Sequence, residues 1–242
     1  MQFLTSTRFL LAYCLTLTVV MFLTMLFVVR LIRNPHVGII TARRINIVEP
    51  DGTVRLTISN RADFPSGWMR GKEYPRPDRT DAAGMLFMSE EGTEQGGLIW
   101  GAGQQPDGSI QNHGHLSLDQ YEENQIFAID AGREGNDKFS QITIADQGDY
   151  PVEEKRDAYA RIMSLPADQQ DAAWSRFFAA HPAYDKKRMV LGRASDGSVG
   201  IDLRDKTGMT RLQLRVGADG TPTLQFFDAA GKVSKEFMAS KR

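Results

Sequence analysis

Apolar and polar positions along this chain follow two different patterns. Phe9 to Val29 holds 21 residues without a charge. At about 1.5 Å per residue a helix of that length reaches roughly 31 Å, the hydrocarbon thickness of a bilayer. Its threonines are compatible with a membrane, because a helical Thr hydroxyl can bond a carbonyl in the preceding turn. Beyond residue 40 the chain instead alternates apolar and polar positions over short stretches, the period-two pattern of strands with one buried face. Ile201 with Leu203, Leu212 with Leu214, and Leu224 with Phe226 show it most clearly.

The alternation is organised as a repeat. Residues 193–215 align on 216–238, so that Asp196 meets Asp219, Gly197 meets Gly220, Asp205 meets Asp228 and Gly208 meets Gly231. The segment 45–58 aligns on 201–214, placing Gly52 on Gly208 and Arg55 on Arg211. An acid that opens a turn can accept its amides, and a glycine three residues on takes positive φ without steric penalty. Gly52, Gly92, Gly97, Asp205, Gly208, Asp228 and Gly231 are therefore assigned as structural turn positions. Two tight-turn signals within each period favour an antiparallel meander of hairpins, while the period also suits a coil of a parallel β-helix. The expected fold is all-β: a repeat-built antiparallel hairpin meander (barrel, sandwich or solenoid-like) preceded by one transmembrane helix. The expected boundaries are 1–38 for tail, helix and linker, and 39–242 for the domain.

Two stretches break the pattern. Residues 61–83 are rich in proline and glycine and read as a long loop, whose Trp68, Arg70 and Tyr74 are candidate binding residues. Residues 151–182 predict an inserted α-helical hairpin, from about Val152 to Met163 and from about Pro166 to Ala180, with Ser164 capping the second helix. Trp174, Phe177 and Phe178 form one aromatic stripe there. Such a stripe ordinarily faces a core, with partner binding as the alternative.

Composition narrows the function classes. Of the 29 basic residues, Arg8, Arg30 and Arg33 flank the apolar segment, leaving 26 against 30 acids in the domain. That balance gives no sign of a nucleic-acid partner. The one cysteine, Cys14, lies in the apolar segment, so the domain has no disulfide, thiolate nucleophile or cysteine-held zinc. The apolar run is longer than a signal-peptide core and has no A-x-A cleavage pattern after it, which favours a retained anchor over a cleaved signal. A count of flanking arginines points to a cytoplasmic domain. The short N-terminal tail has few charges to count, and the reading adopted is a domain outside the cytoplasm.

Candidate chemistry is sparse. Glu90, Glu91 and Glu94, with Asp119, Glu122 and Glu123, are the carboxylates a glycosidase pair would need, yet their alignment on other hairpins makes them turn acids. His113 and His115 share a strand face, and Asp119 could complete a metal triad of unspecific spacing. No nucleophile elbow, phosphate loop or dinucleotide fingerprint is present, and no cofactor is implied. Gly96 and Gly97 stand where strand residues belong, which predicts a bulge or a close backbone approach.

The phrases RINIVEPDGTVRLTISN, GKEYPRPDR, GMLFMSEEGTEQGGLIWGAG and HLSLDQYEENQ resemble a group of uncharacterised bacterial proteins with an N-terminal hydrophobic segment. The resemblance covers about residues 39–132. It carries no functional residues and implies a bacterial envelope setting. The expected partners are the lipid bilayer through the N-terminal helix, and either an envelope protein or a second copy through unpaired sheet edges. The expected role is a non-catalytic binding or scaffolding module. An envelope polysaccharide hydrolase and a metal-binding protein are the alternatives.

Overall fold

The computed structural model describes residues 6–33, 38–76, 79, 82–182 and 185–239, without the side chains of 31–33 and 152. The chain divides into two compact units, 1–42 and 43–242. In the first, α1 (Thr7–Arg33) contains a span of 24 residues, Thr7–Arg30, long and apolar enough to cross a membrane. The threonine hydroxyls bond within the helix: Thr16 donates to the Ala12 carbonyl at 2.8 Å, Thr18 to Cys14 at 2.9 Å and Thr24 to Val20 at 2.8 Å.

The second unit is built on one open antiparallel sheet of 12 strands. In order across the sheet they are β1 (Arg44–Val48), β2 (Val54–Ser59), β5 (Ala83–Met88), β6 (Glu94–Gln104), β7 (Ile110–Asp119), β8 (Gln125–Glu134), β9 (Asp137–Asp146), β10 (Lys186–Arg193), β11 (Val199–Arg204), β12 (Thr210–Val216), β13 (Pro222–Phe227) and β14 (Val233–Met238). Each strand pairs with the next along the chain, except that β2 skips the 61–83 segment to pair with β5. The order settles the choice among closures: the sheet is a meander, neither a closed barrel nor a parallel coil. The loop of 61–83 contains a small hairpin of its own, β3 (Gly67–Met69) with β4 (Lys72–Tyr74).

Local chemistry explains the meander. Among the described residues eight turns share one bonding scheme, in which the first amide donates to the fifth carbonyl and the fourth amide to the first carbonyl. Asp205–Met209 and Asp228–Lys232 are two of them. Asp205 also accepts the amides of Thr207 and Met209, and Asp228 those of Ala230 and Lys232. In a meander the turns at 49–53, 89–93, 120–124, 205–209 and 228–232 fall at one end of the sheet. There the arginines just after two turns staple neighbouring tips. Arg55 bonds Glu49, Glu90 and the Met88 carbonyl, and Arg211 bonds Asp205 and the Asp228 carbonyl.

Gly97 is not a turn residue. It lies inside β6, where it pairs with Leu86 and Ser117. A Cβ there would stand 2.6 Å from the Met85 carbonyl oxygen, and one on Gly96 2.2 Å from that of Ser117. The register slips beside them, with Phe87 opposite Gly96 but Met88 opposite Glu94. The paired glycines thus mark both a bulge and a close backbone approach.

The helical insertion forms α2 (Val152–Met163) and α3 (Ala167–Ala180). Ser164 closes α2 instead of capping α3, whose N-cap position is Pro166. The Ser164 hydroxyl donates back to the Arg161 carbonyl at 2.6 Å, within the last turn of α2.

Candidate functional site

Register decides which side chains share a face, because residues directly opposite in an antiparallel pair point the same way. One row crosses all twelve strands: Ile45, Ile58, Met85, Leu98, Leu116, Ile129, Ile142, Leu191, Ile201, Leu214, Leu224 and Phe237. A second row, two residues along each strand, runs from Ile47 to Lys235 and is apolar except for Gly96 and Lys235. None of these apolar side chains reaches the buried class, and Leu203, Leu214, Phe226 and Phe237 are 41%, 50%, 38% and 50% exposed. The expectation that the alternating positions mark a buried face is therefore corrected. The apolar face is the open one.

The opposite face is covered along β2 and β5 to β9, where its buried residues are mainly small or polar, with Leu86 and Met88 as the larger apolar ones. Thr57, Leu86, Ser117, Ala128 and Thr143 form a buried row there. Longer polar side chains bond to each other along the rows beside them. Gln125 meets His115 Nε2 at 3.0 Å, His115 Nδ1 meets Asp130 at 2.6 Å, and Gln141 donates to Asp130. Further on, Gln213 donates to Asp202 at 2.8 Å and Gln225 to Glu236 at 2.5 Å. The bond to His115 holds the Asp130 carboxyl below its usual range, against the opposing effect of burial.

The β3–β4 flap is pinned at the turn-bearing end of the sheet. The amides of Arg70 and Gly71 donate to Thr93 Oγ1 and the Gly92 carbonyl at 3.0 and 3.1 Å. A Cβ on Gly92 would stand 2.9 Å from the Gly71 nitrogen, so this contact needs a glycine as much as the turn does. Arg70 grips Glu122 through two bonds of 2.6 and 2.5 Å, and both residues sit at positive φ (46° and 52°). Arg79, between β4 and β5, pairs with Glu94, both side chains largely shielded, and reaches the Ser66 carbonyl at the entry to the flap.

The turn acids thus gather at one end, each with its own partner. Glu90 binds Arg55, Glu94 binds Arg79, Glu122 binds Arg70, and the Tyr121 hydroxyl donates to Glu91 at 2.6 Å. Glu123 accepts the Tyr150 amide at 2.8 Å, while burial raises its carboxyl. Asp119 is the exception. Burial, and then the charge of Glu94, push it up to about 7, and its Oδ1 has no hydrogen-bond partner among the described residues.

The candidate triad of His113, His115 and Asp119 does not assemble. Both ring nitrogens of His115 are engaged by Asp130 and Gln125. Among the described residues no group of three His, Cys, Asp or Glu is placed to hold a metal.

Of the candidate binding residues, Arg70 and Tyr74 line a cavity of about 500 Å³ with Lys72, Glu153 and Arg156. The Arg156 guanidinium stands 4.7 Å from the centre of the Tyr74 ring. Trp68 lies on β3 with its indole nitrogen buried and unbonded among the described residues. Phe177 is buried with Ala158, Ile162 and Ala173 in the small core of the helix pair, and Trp174 packs against it. Phe178 stacks on Trp174 at 5.6 Å and stays on the surface.

Fold and faces together define a class: an open, single antiparallel sheet with one polar, hydrogen-bonded face and one bare apolar face, preceded by a long apolar helix. No protein-family model and no curated protein matches the chain.

Proposed function

We propose that this protein is a single-pass, membrane-anchored, non-catalytic binding or scaffolding module of the bacterial inner membrane, with its domain on the extracytoplasmic side. The observation that carries this reading is the bare apolar face, two rows deep and twelve strands wide. At about 4.8 Å per strand and about 7 Å per row it covers roughly 700 Å². The largest apolar patch on a typical monomer is about 300–600 Å², and larger ones mark interaction sites. The length and composition of α1 support the anchor. The pairing of nearly every turn acid with a cation, a hydroxyl or an amide supports a structural role for those acids.

The test is a photo-reactive phenylalanine analogue in the full chain in bacterial membranes, placed at Leu214 on the apolar face or at Gln213 on the polar face. Adducts from position 214 in clear excess over 213 are expected. Equal yields, or none, would count against the module.

One observation favours a second reading, hydrolysis of envelope polysaccharide. Asp119 has a buried Oδ1 without a hydrogen-bond partner among the described residues. Burial, then the charge of Glu94, push its carboxyl up to about 7, the raised carboxylic acid that general-acid catalysis uses. Loss of polysaccharide cleavage in Glu94→Gln and Asp119→Asn would support it. An unmodified protein that leaves peptidoglycan and capsular polysaccharide intact would exclude it.

A further inference from the structure

We propose that the apolar face is covered by the same face of a second copy of this chain, the two sheets closing into a two-layer sandwich. The inference rests on the binding-module reading and names its partner. A sheet with one apolar face is stable when a second layer covers it, and among the described residues of the second unit no element lies over this one. The covering layer must match an unusual shape. Twelve strands span roughly 53 Å, whereas a helix of 14 residues, the length of α3, reaches only about 21 Å. A second twelve-stranded sheet has the required width by construction.

The chemistry is self-complementary as well. In an isologous contact each row meets a row of its own kind, and here the rows hold no charge except Lys235. That residue lies on the edge strand β14, its ammonium 4.8 Å from the centre of the Phe237 ring, where it stays at the rim of a face-to-face pair. The roughly 700 Å² offered by each copy approaches the ~800 Å² per partner of a standard stable interface. Sheets packed in this way stand about 10 Å apart, a spacing that large aliphatic side chains fill by interdigitation. The polar face cannot serve instead, since its side chains already bond to one another across the strands.

The experiment uses the full chain in native membranes with Cys14→Ser, which removes the one natural thiol. Ile129→Cys places a thiol on the apolar face at the centre of the sheet, and Gln141→Cys places one on the polar face of the next strand. A short bismaleimide is expected to give a dimer from position 129 and not from 141. Adding Leu203→Glu and Leu214→Glu should abolish that dimer. Both residues are half exposed, so the sheet itself should persist, and an unchanged β circular-dichroism signal would verify it. The photo-adducts from position 214 then separate the failures. Adducts to lipid, or to a different protein, with no dimer from position 129 would overturn the second copy and leave the module standing. No dimer and no adduct would overturn both.

Discussion

At the scale of single residues, glycine and aspartate carry the sharpest constraints. Gly96 has φ of +125° and a backbone carbonyl where a Cβ would go, while Gly103, on the same strand, has open space around it. Backbone strain of this kind costs about 1–3 kcal/mol, and about 1 kcal/mol moves the melting temperature of a domain this size by roughly 2–4 °C. Gly96→Ala should therefore lower Tm by several degrees in thermal denaturation, and Gly103→Ala should leave it nearly unchanged. Asp119 makes a prediction in pH. Its folded pKa, about 7, lies above the value of about 3.9 for an unfolded chain. Its stabilising contribution is thus complete below about pH 3.9 and is lost as pH rises through about 7. The loss is at most about 4 kcal/mol, at about 1.4 kcal/mol per pH unit. Asp119→Asn keeps a neutral group at all pH values, so its Tm relative to the unmodified protein should climb between pH 4 and pH 8. A flat difference would show that Asp119 ionises freely.

At the scale of elements, the flap and the helix pair are held by different means. The helix pair has a core of its own around Phe177 and Ile162. The flap hangs on polar ties, of which Arg79–Glu94 is the best shielded. Removing one partner of a buried pair leaves an uncompensated charge and costs about 3–5 kcal/mol. Arg79→Ala should accordingly release the flap and speed proteolytic cleavage within residues 61–83, read by mass spectrometry of the fragments. Cleavage at the unmodified rate would show that the bonds from Arg70 and Gly71 suffice. The sequence disclosed the repeat because its turns close within five residues, through Asp205 and Asp228 acting on nearby amides. It did not disclose that Arg70 meets Glu122 or that His115 meets Asp130. Those pairs lie 52 and 15 residues apart in the chain, and only strand order and register bring them together.

At the scale of the whole molecule, the open sheet ties stability to association. Anything that binds the folded chain alone raises its apparent stability by mass action. Tm of the full chain, reconstituted at rising protein-to-lipid ratios, should therefore increase with copy density. Leu203→Glu with Leu214→Glu should flatten that dependence, and a Tm independent of density in the unmodified protein would argue against self-covering.

The sequence by itself determined the local structure: the long apolar helix, the strands, the turns that fold them back and the positions of the two helices. Each depends on hydrogen bonds or periodicity within a few residues, which composition and spacing express directly. The tertiary structure decided which face of the sheet is covered. Alternation says that two faces differ, and burial of the apolar one is the usual consequence. Here the flap crosses the polar side, long polar side chains shield small neighbours, and the apolar rows are left bare. That outcome depends on where an insertion returns to the sheet, which no periodicity encodes. Alignment of the hairpins had already placed Glu90 and Glu91 in a turn, and only the tertiary structure supplied the partners Arg55 and Tyr121, with Arg79 for Glu94 at the start of β6.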